Sequence, residues 1–264
     1  MWHSLRRLLQ HRVLIQTLVV RELKARYRNS ALGFLWSFVN PLLLLAVYTF
    51  VFTVIFIPPG REGVDPYALF MFCGLLPWTW FSGTLSEAAN SLVMHGNLIK
   101  KLVFPAEVLP VVSVFSNGIH FLLGLPIYLV FWVILKPDGI SWHFLWLPLV
   151  ILVQFVFSAG LSLLVAALTV HYRDVRDLLA NLLTLWFFAS PIIYSFDMLP
   201  DTIFLDLLQL NPMTHIVIGY QDAMFTGQLI HWKRLGVTGL LSVGLFFLCY
   251  MFFDRLRDSF AEGV

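Results

Sequence analysis

Residues Phe144–Val170 read FLWLPLVILVQFVFSAGLSLLVAALTV, and His171–Arg176 then read HYRDVR. The first stretch carries no Asp, Glu, Lys or Arg, and as an α-helix it is long enough to cross a hydrocarbon layer about 30 Å thick. The second places two arginines directly after it. Working outward, the same alternation recurs. Uncharged runs cover about Leu32–Ile57, Pro66–Val93, Val108–Leu135, Phe144–Val170, Leu178–Phe196 and Leu235–Phe253, with short polar breaks between them. Backbone in lipid must satisfy its own hydrogen bonds, and these runs lack the ten-residue apolar/polar alternation of barrel strands. The expected fold is therefore an all-α integral membrane protein with six transmembrane helices.

Composition agrees. Apolar residues make up 59% of the chain and charged residues 12%, with a mean hydropathy of +0.82. That charged fraction is about half that of an ordinary soluble domain, which excludes soluble enzymes. A net charge of +2 does not suggest nucleic acid as a partner. Cys73 and Cys249 both lie in apolar runs and read as packing residues rather than a disulfide or metal pair. Arg6, Arg7, Arg12, Arg21 and Arg26 interrupt the first 30 residues and leave no adequate signal-peptide core.

Basic residues collect on every second break. The segment Arg6–Arg28, Lys100 and Lys101, Arg173 and Arg176, and the tail residues Arg255 and Arg257 together hold 13 of the 17 Lys and Arg. The opposite breaks hold Arg61, Lys136, Lys233 and Arg234. Positive residues are retained on the cytoplasmic side, so both termini are expected there, in a prokaryotic cytoplasmic or inner membrane.

Two segments depart from a plain six-helix drawing. In Leu5–Arg28, the residues Leu8, Leu9, Val13, Leu14, Leu18, Val19 and Leu23 recur every three or four positions among Arg and Gln. This predicts an amphipathic helix in the cytoplasmic interface, acting as an anchor or as a lever at the substrate entrance. Residues 1–31 thus precede a transmembrane domain of residues 32–264 with a short cytoplasmic tail. The second segment is Asp197–Ile230, too apolar for an exposed loop and broken by Asn211-Pro212. Two short helices forming an outer re-entrant hairpin account for it, and the alternative is a cap on the outer leaflet.

Catalytic chemistry is not evident. No G-x-x-x-x-G-K-[ST] loop, H-E-x-x-H pair or G-x-S-x-G elbow occurs, and the histidines are scattered. His120 reads as a hydrogen-bonded interior residue. Glu107 follows Pro105 at a helix start, where a carboxylate suits the positive end of the helix dipole. Glu87 is the one carboxylate well inside a span. It either pairs with a base or backbone donor, or takes part in transport chemistry. Ser158, Ser162 and Ala166 form a small-residue face that lets helices approach.

Several stretches taken in order resemble a known family. They are RELKARYRNSALGFLW from Arg21 with Asn40-Pro41, LPW at Leu76–Trp78, NLIKKLVFP at Asn97–Pro105, YRDVR at Tyr172–Arg176, and NPMT at Asn211–Thr214. This ordered set is similar to ABC-2-type permeases, in the branch that exports lipid-linked polysaccharides such as O-antigen, capsule-type glycans and wall teichoic acids. The resemblance runs from about Arg21 to Phe253. It implies a transporter subunit rather than an enzyme, paired with a second copy of itself and with two copies of a separate ATPase. No cofactor is expected on this chain, since ATP and Mg belong to that partner. Its coupling contacts would include Asn97, Leu98, Lys100, Lys101, Tyr172, Arg173, Asp174 and Arg176. Arg21, Lys24, Arg26 and Arg28 would be candidates to meet the pyrophosphate of the lipid carrier, because guanidinium matches phosphate in a bidentate way.

Aromatic residues are dense in the spans and offer apolar faces on which sugar rings can slide. Phe34, Trp36, Phe38, Tyr48, Trp78, Trp186, Phe187 and Tyr194 are candidate conduit residues. Interface anchoring and lipid contact explain such residues equally well. Rival readings are a permease for a small hydrophobic drug or lipid, a membrane-embedded glycan-modifying enzyme, and a secondary transporter. The enzyme would need a convergent acid/base pair and the secondary transporter repeated halves, and neither is visible.

Overall fold

The computed structural model describes residues 10–28, 30–55, 64–101, 104–136, 142–195, 203–228 and 230–260. The expectations for residues 1–9, Phe56 and Ile57, Arg61, Val103, and 196–202 lie outside those stretches. Among the described residues the chain is helical throughout, without strands. Its α-helices are α1 (Arg12–Arg26), α2 (Trp36–Phe50), α3 (Tyr67–Met94), α4 (Gly96–Lys101), α5 (Val108–Leu135), α6 (Leu147–His171), α7 (Val175–Phe188), α8 (Ile203–Gln209), α9 (Pro212–Gln221) and α10 (Trp232–Leu256).

Five helical stretches are long and apolar enough to cross a membrane: Gly33–Phe50, Tyr67–Met94, Val108–Leu135, Trp142–His171 and Trp232–Ser259. They match five of the six expected spans. The remaining one differs. A helix over about Leu178–Phe196 was expected, but α7 has 14 residues and is followed by turns. At 1.5 Å per residue it is roughly 21 Å long, short of a full crossing. Pro191 is the physical reason. It cannot continue the helical hydrogen bonding and disfavours helix just before it, although Ala189, Ile192 and Ile193 keep the sequence apolar.

The α3 helix is the centre of the molecule and is buried along most of its length. Close approaches make this possible. A Cβ at Gly74 would stand 3.1 Å from Ile192 Cα, and one at Gly124 of α5 would collide with a Leu76 methyl at 2.5 Å. Between α6 and α10, a Cβ at Gly160 would lie 2.9 Å from Phe246 Cα. The small face of α6 is enclosed, with Ser158, Ser162 and Ala166 all fully buried. Both cysteines are free and buried. Gln154 of α6 donates to the Pro77 carbonyl at 2.7 Å, tying α6 to the middle of α3.

The N-terminal helix binds α5 through a small apolar cluster of Ile15 and Val19 with Val108, Val111 and Val112. Leu14, Leu18 and Leu23 pack around it. The expected apolar face is thus rotated slightly. Ile15 belongs to it, whereas Val13 is 66% exposed.

Polar contacts gather at the two ends of the bundle. At one end Arg257 meets Glu107 at 4.0 Å, and His171 Nε2 meets Ser259 Oγ at 2.9 Å. Glu107 is the buried N-cap residue of α5. This basic end also bears α4 and the α6–α7 turn. At the far end, Lys136 donates to the Phe225 carbonyl at 3.2 Å and lies over the Trp132 and Phe225 rings. Asp222 accepts from the His231 backbone N–H at 2.9 Å, holding the start of α10.

Candidate functional site

The chain leaves α1 at Arg26 and turns through a short 3-10 segment, Gly33–Leu35, into α2. That return leaves a cavity of about 410 Å³ between the α1–α2 connection and the faces of α3 and α5. Arg26, Tyr27, Ser30, Trp36, Ser37 and Asn40 line one side of it, and Leu76, Thr79, Trp80, Asn117 and His120 the other. A mixed wall of this kind and size suits a ligand carrying both polar and apolar parts.

Two networks shape the wall. The Arg26 guanidinium pairs with Glu87, whose other oxygen accepts from Asn117 Nδ2. Asn117 also donates to the Ser113 carbonyl at 2.9 Å. Side-chain exposures of 30% and 25% leave the Arg26–Glu87 pair partly open to the cavity mouth. In the second network, Ser37 Oγ donates to Tyr27 Oη at 2.6 Å, and Tyr27 Oη lies 3.3 Å from His120 Nδ1. These bonds fasten the end of α1 and the start of α2 to α3 and α5. Glu87 therefore pairs with a base, and His120 is a hydrogen-bonded interior residue.

The four candidate phosphate contacts separate. Arg26 lines the cavity but is already matched to Glu87, while Arg21, Lys24 and Arg28 are exposed. The conduit candidates also fall into groups. Trp36 lines the cavity, and Phe34 bridges Tyr27 and Phe38 through edge contacts at 6.0 and 5.8 Å. Tyr48, Trp78 and Phe187 form a separate cluster, with Phe187 centred 6.0 Å from Tyr48 and 5.7 Å from Trp78. Trp78 and Phe187 are buried inside the chain. Trp186 stands edge-on to Phe81 at 5.2 Å, and Tyr194 Oη donates to the Phe188 carbonyl at 2.9 Å.

Asn211 and Pro212 do more than break a helix. Asn211 caps α9 by accepting from Met213 N, also accepts from Trp186 Nε1 at 2.8 Å, and donates to the Ala189 carbonyl at 2.9 Å. One side chain thus joins the end of α7 to the beginning of α9, with Pro212 at the first helical position where its missing N–H costs nothing.

The coupling candidates lie in two short features of the basic end. In α4, Asn97 and Lys100 are exposed and Leu98 is half-buried, with Lys101 as the last residue. Tyr172, Arg173, Asp174 and Arg176 are exposed at and just after the α6–α7 turn. Sequence reasoning missed Tyr27, Ser37 and Asn117. The signal available was Ser113, Asn117 and His120, which lie three or four apart and mark one polar stripe on an apolar span.

Comparison with known proteins identifies the family to which the chain belongs. Residues 13–225 match the family model described as ABC-2 type transporter. The chain is 39% identical to the O-antigen export system permease protein RfbA of Myxococcus xanthus, over 98% of each chain. It is 31% identical to an RfbA of Klebsiella pneumoniae over 94% of each chain. Identity to the polysialic acid transport protein KpsM of Escherichia coli is 21%, over 90% of this chain and 91% of that one. A multi-pass helical chain matched along four-fifths of its length by one family model has its place settled: it belongs to the ABC-2 type transporters.

Proposed function

We propose that this chain is the membrane-spanning permease of an ATP-driven exporter that carries a lipid-linked polysaccharide from the cytoplasmic to the outer leaflet. The observation that carries this reading is the 39% identity, over nearly the whole of both chains, to a protein named as an O-antigen export permease. Two copies of the chain act with two copies of a separate ATPase, which supplies the ATP and Mg. The basic end faces the cytoplasm, in keeping with its share of the Lys and Arg.

In this reading α4 and the α6–α7 turn are the coupling contacts. Both are short and exposed, and each is continuous with a buried span, so a push on either is delivered to α3 or α6. The cavity beside Arg26 receives the polar head of the lipid carrier. Its phosphate would compete with Glu87 for Arg26, loosening the hold on the α1–α2 connection, while Arg21, Lys24 and Arg28 attract it from outside. The sixth crossing is made in two pieces. The α7 helix rises from the basic end, and α9 continues from Asn211, with α8 and α9 forming the re-entrant hairpin.

The test is co-purification of the tagged chain in mild detergent with its ATPase, followed by hydrolysis and transport assays. A two-plus-two complex whose hydrolysis responds to a lipid-linked glycan is the expected result. Lys100→Glu with Arg173→Glu should preserve membrane insertion and uncouple hydrolysis from export. A stable chain with no partner and no ATP dependence overturns the exporter reading, and full export by the charge-reversed variant overturns the coupling assignment.

A further inference from the structure

A separate recess lies beside the last long helix. It has a volume of about 690 Å³ and is formed by α6, the end of α8, α9 and α10. It shares no helix with the cavity beside Arg26. Lys233 and Arg234 stand at its far end, with His215 beside them. Below them Val237, Leu241 and Leu248 line its length. The recess therefore extends roughly 22 Å down α10. Its floor is open to the surroundings, since Val237, Leu241 and Leu248 are 57%, 64% and 61% exposed. Because α10 is long and apolar enough to cross a bilayer, this wall would face acyl chains where the helix crosses.

Neither Lys233 nor Arg234 meets a carboxylate among the described residues; Lys233 lies over the Trp232 ring, and Asp222 is occupied by His231. Both sit in the first turn of α10, where the helix dipole is positive and cations are disfavoured. They also stand on the breaks that carry few Lys and Arg. His215 adds no second acid partner. Its Nε2 lies 2.8 Å from the Gln209 carbonyl, and its Nδ1 is enclosed without a hydrogen bond. An anion placed here would be favoured by the two cations and by the helix start together.

We infer that the recess headed by Lys233 and Arg234 is a binding site for an anionic phospholipid of the outer leaflet, the phosphate meeting the two cations and one acyl chain lying along α10. Charge complementarity and the long apolar floor select this occupant. A second copy of the chain is a poorer fit. A two-fold axis along the membrane normal would bring two unneutralised Lys-Arg pairs together at the same depth. The bound lipid would brace the α8–α9 hairpin against α10, since Gln209, Leu210 and Pro212 form the opposite rim. This site does not depend on what the protein transports, while its place in the outer leaflet rests on the orientation proposed above.

Native mass spectrometry of the intact chain in detergent tests it, with added phosphatidylglycerol, phosphatidylcholine of the same acyl chains, or a polyprenyl phosphate. Phosphatidylglycerol should be retained and should raise the unfolding temperature, with phosphatidylcholine much weaker. Lys233→Gln with Arg234→Gln should weaken retention about tenfold, while Arg255→Ala at the other end of α10 leaves it unchanged. Should the double variant fold poorly, Leu241→Trp, which fills the floor and keeps both charges, should displace the lipid. Equal retention of the two phospholipids, unchanged binding in both variants, or stronger binding of polyprenyl phosphate each overturns the assignment.

Discussion

The helices α2 and α3 look alike as membrane-crossing sequence and behave oppositely in the fold. Their most apolar windows have mean hydropathies of 1.6 and 1.3, yet 11% of the α2 window is buried inside the chain and 78% of the α3 window. In water the more apolar helix would take the core. In lipid an exposed leucine costs nothing, so position is decided by packing. The α3 sequence supplies what packing needs, with Gly74 and Gly83 for close approach and Thr84, Ala88 and Ala89 buried among large aromatics. The α2 sequence offers the run Leu42–Leu45, of which Leu45 alone is buried. Its basic end is fastened by the Tyr27, Ser37 and His120 contacts.

The strongest way to break this contrast is at Gly74. A valine there would press on the backbone of Ile192, which cannot withdraw without moving the turns after α7. Forced overpacking of this kind costs about 1–3 kcal/mol, and sharply reduced yield with a lower unfolding temperature in detergent is the expected result. The matched change in α2, Leu43→Ala, should stay within about 0.5 kcal/mol, because Leu43 is 53% exposed. Equal destabilisation at both sites would mean that the two helices are embedded alike.

A subtler test concerns what ties the loosely packed helix to the buried one. Arg26 ends α1 and Glu87 belongs to α3, so their pair fixes to the buried helix the connection from which α2 starts. Because both side chains are partly exposed, the loss on removing one partner should fall below that of a fully buried pair. Glu87→Gln should cost about 1–2 kcal/mol, with Arg26→Gln similar and the double variant less than the sum. Thermal unfolding of the four proteins measures that coupling, and strict additivity would show that the pair holds nothing together.

The same contrast explains what could be read from sequence. Five crossings and the break at Asn211-Pro212 were legible because hydropathy and proline act locally. The end of α7 was not, since Ala189, Ile192 and Ile193 extend the apolar run past the point where Pro191 stops the helix. Glu87 was identifiable as a buried acid, but its partner lies 61 positions away on another helix. The cavity is harder still. It exists because the chain turns back after Arg26, and its lining comes from four segments that no periodicity connects. Trp78 and Phe187 show the limit for aromatics, whose hydropathy is the same whether they face a conduit or the core.

The smallest effect on folding should come from the open face of α2, and there the contrast becomes a statement about assembly. Leu43, Val47 and Phe50 are 53%, 57% and 56% exposed, and their spacing of four and three places them on one stripe. If two copies associate, this stripe offers a wall that lacks a partner among the described residues and carries no charge to oppose its own copy. Leu43→Ala with Val47→Ala should leave the unfolding temperature of the monomer nearly unchanged while shifting the monomer–dimer balance toward monomer. Val47→Cys should cross-link to its copy in native membranes under mild oxidation. Cross-linking through Leu241→Cys on α10 instead, with Val47→Cys silent, would move the seam to that helix. It would also remove the space in which the phospholipid is expected to lie, so one pair of cysteine variants separates the two faces by their partners: protein for α2, lipid for α10.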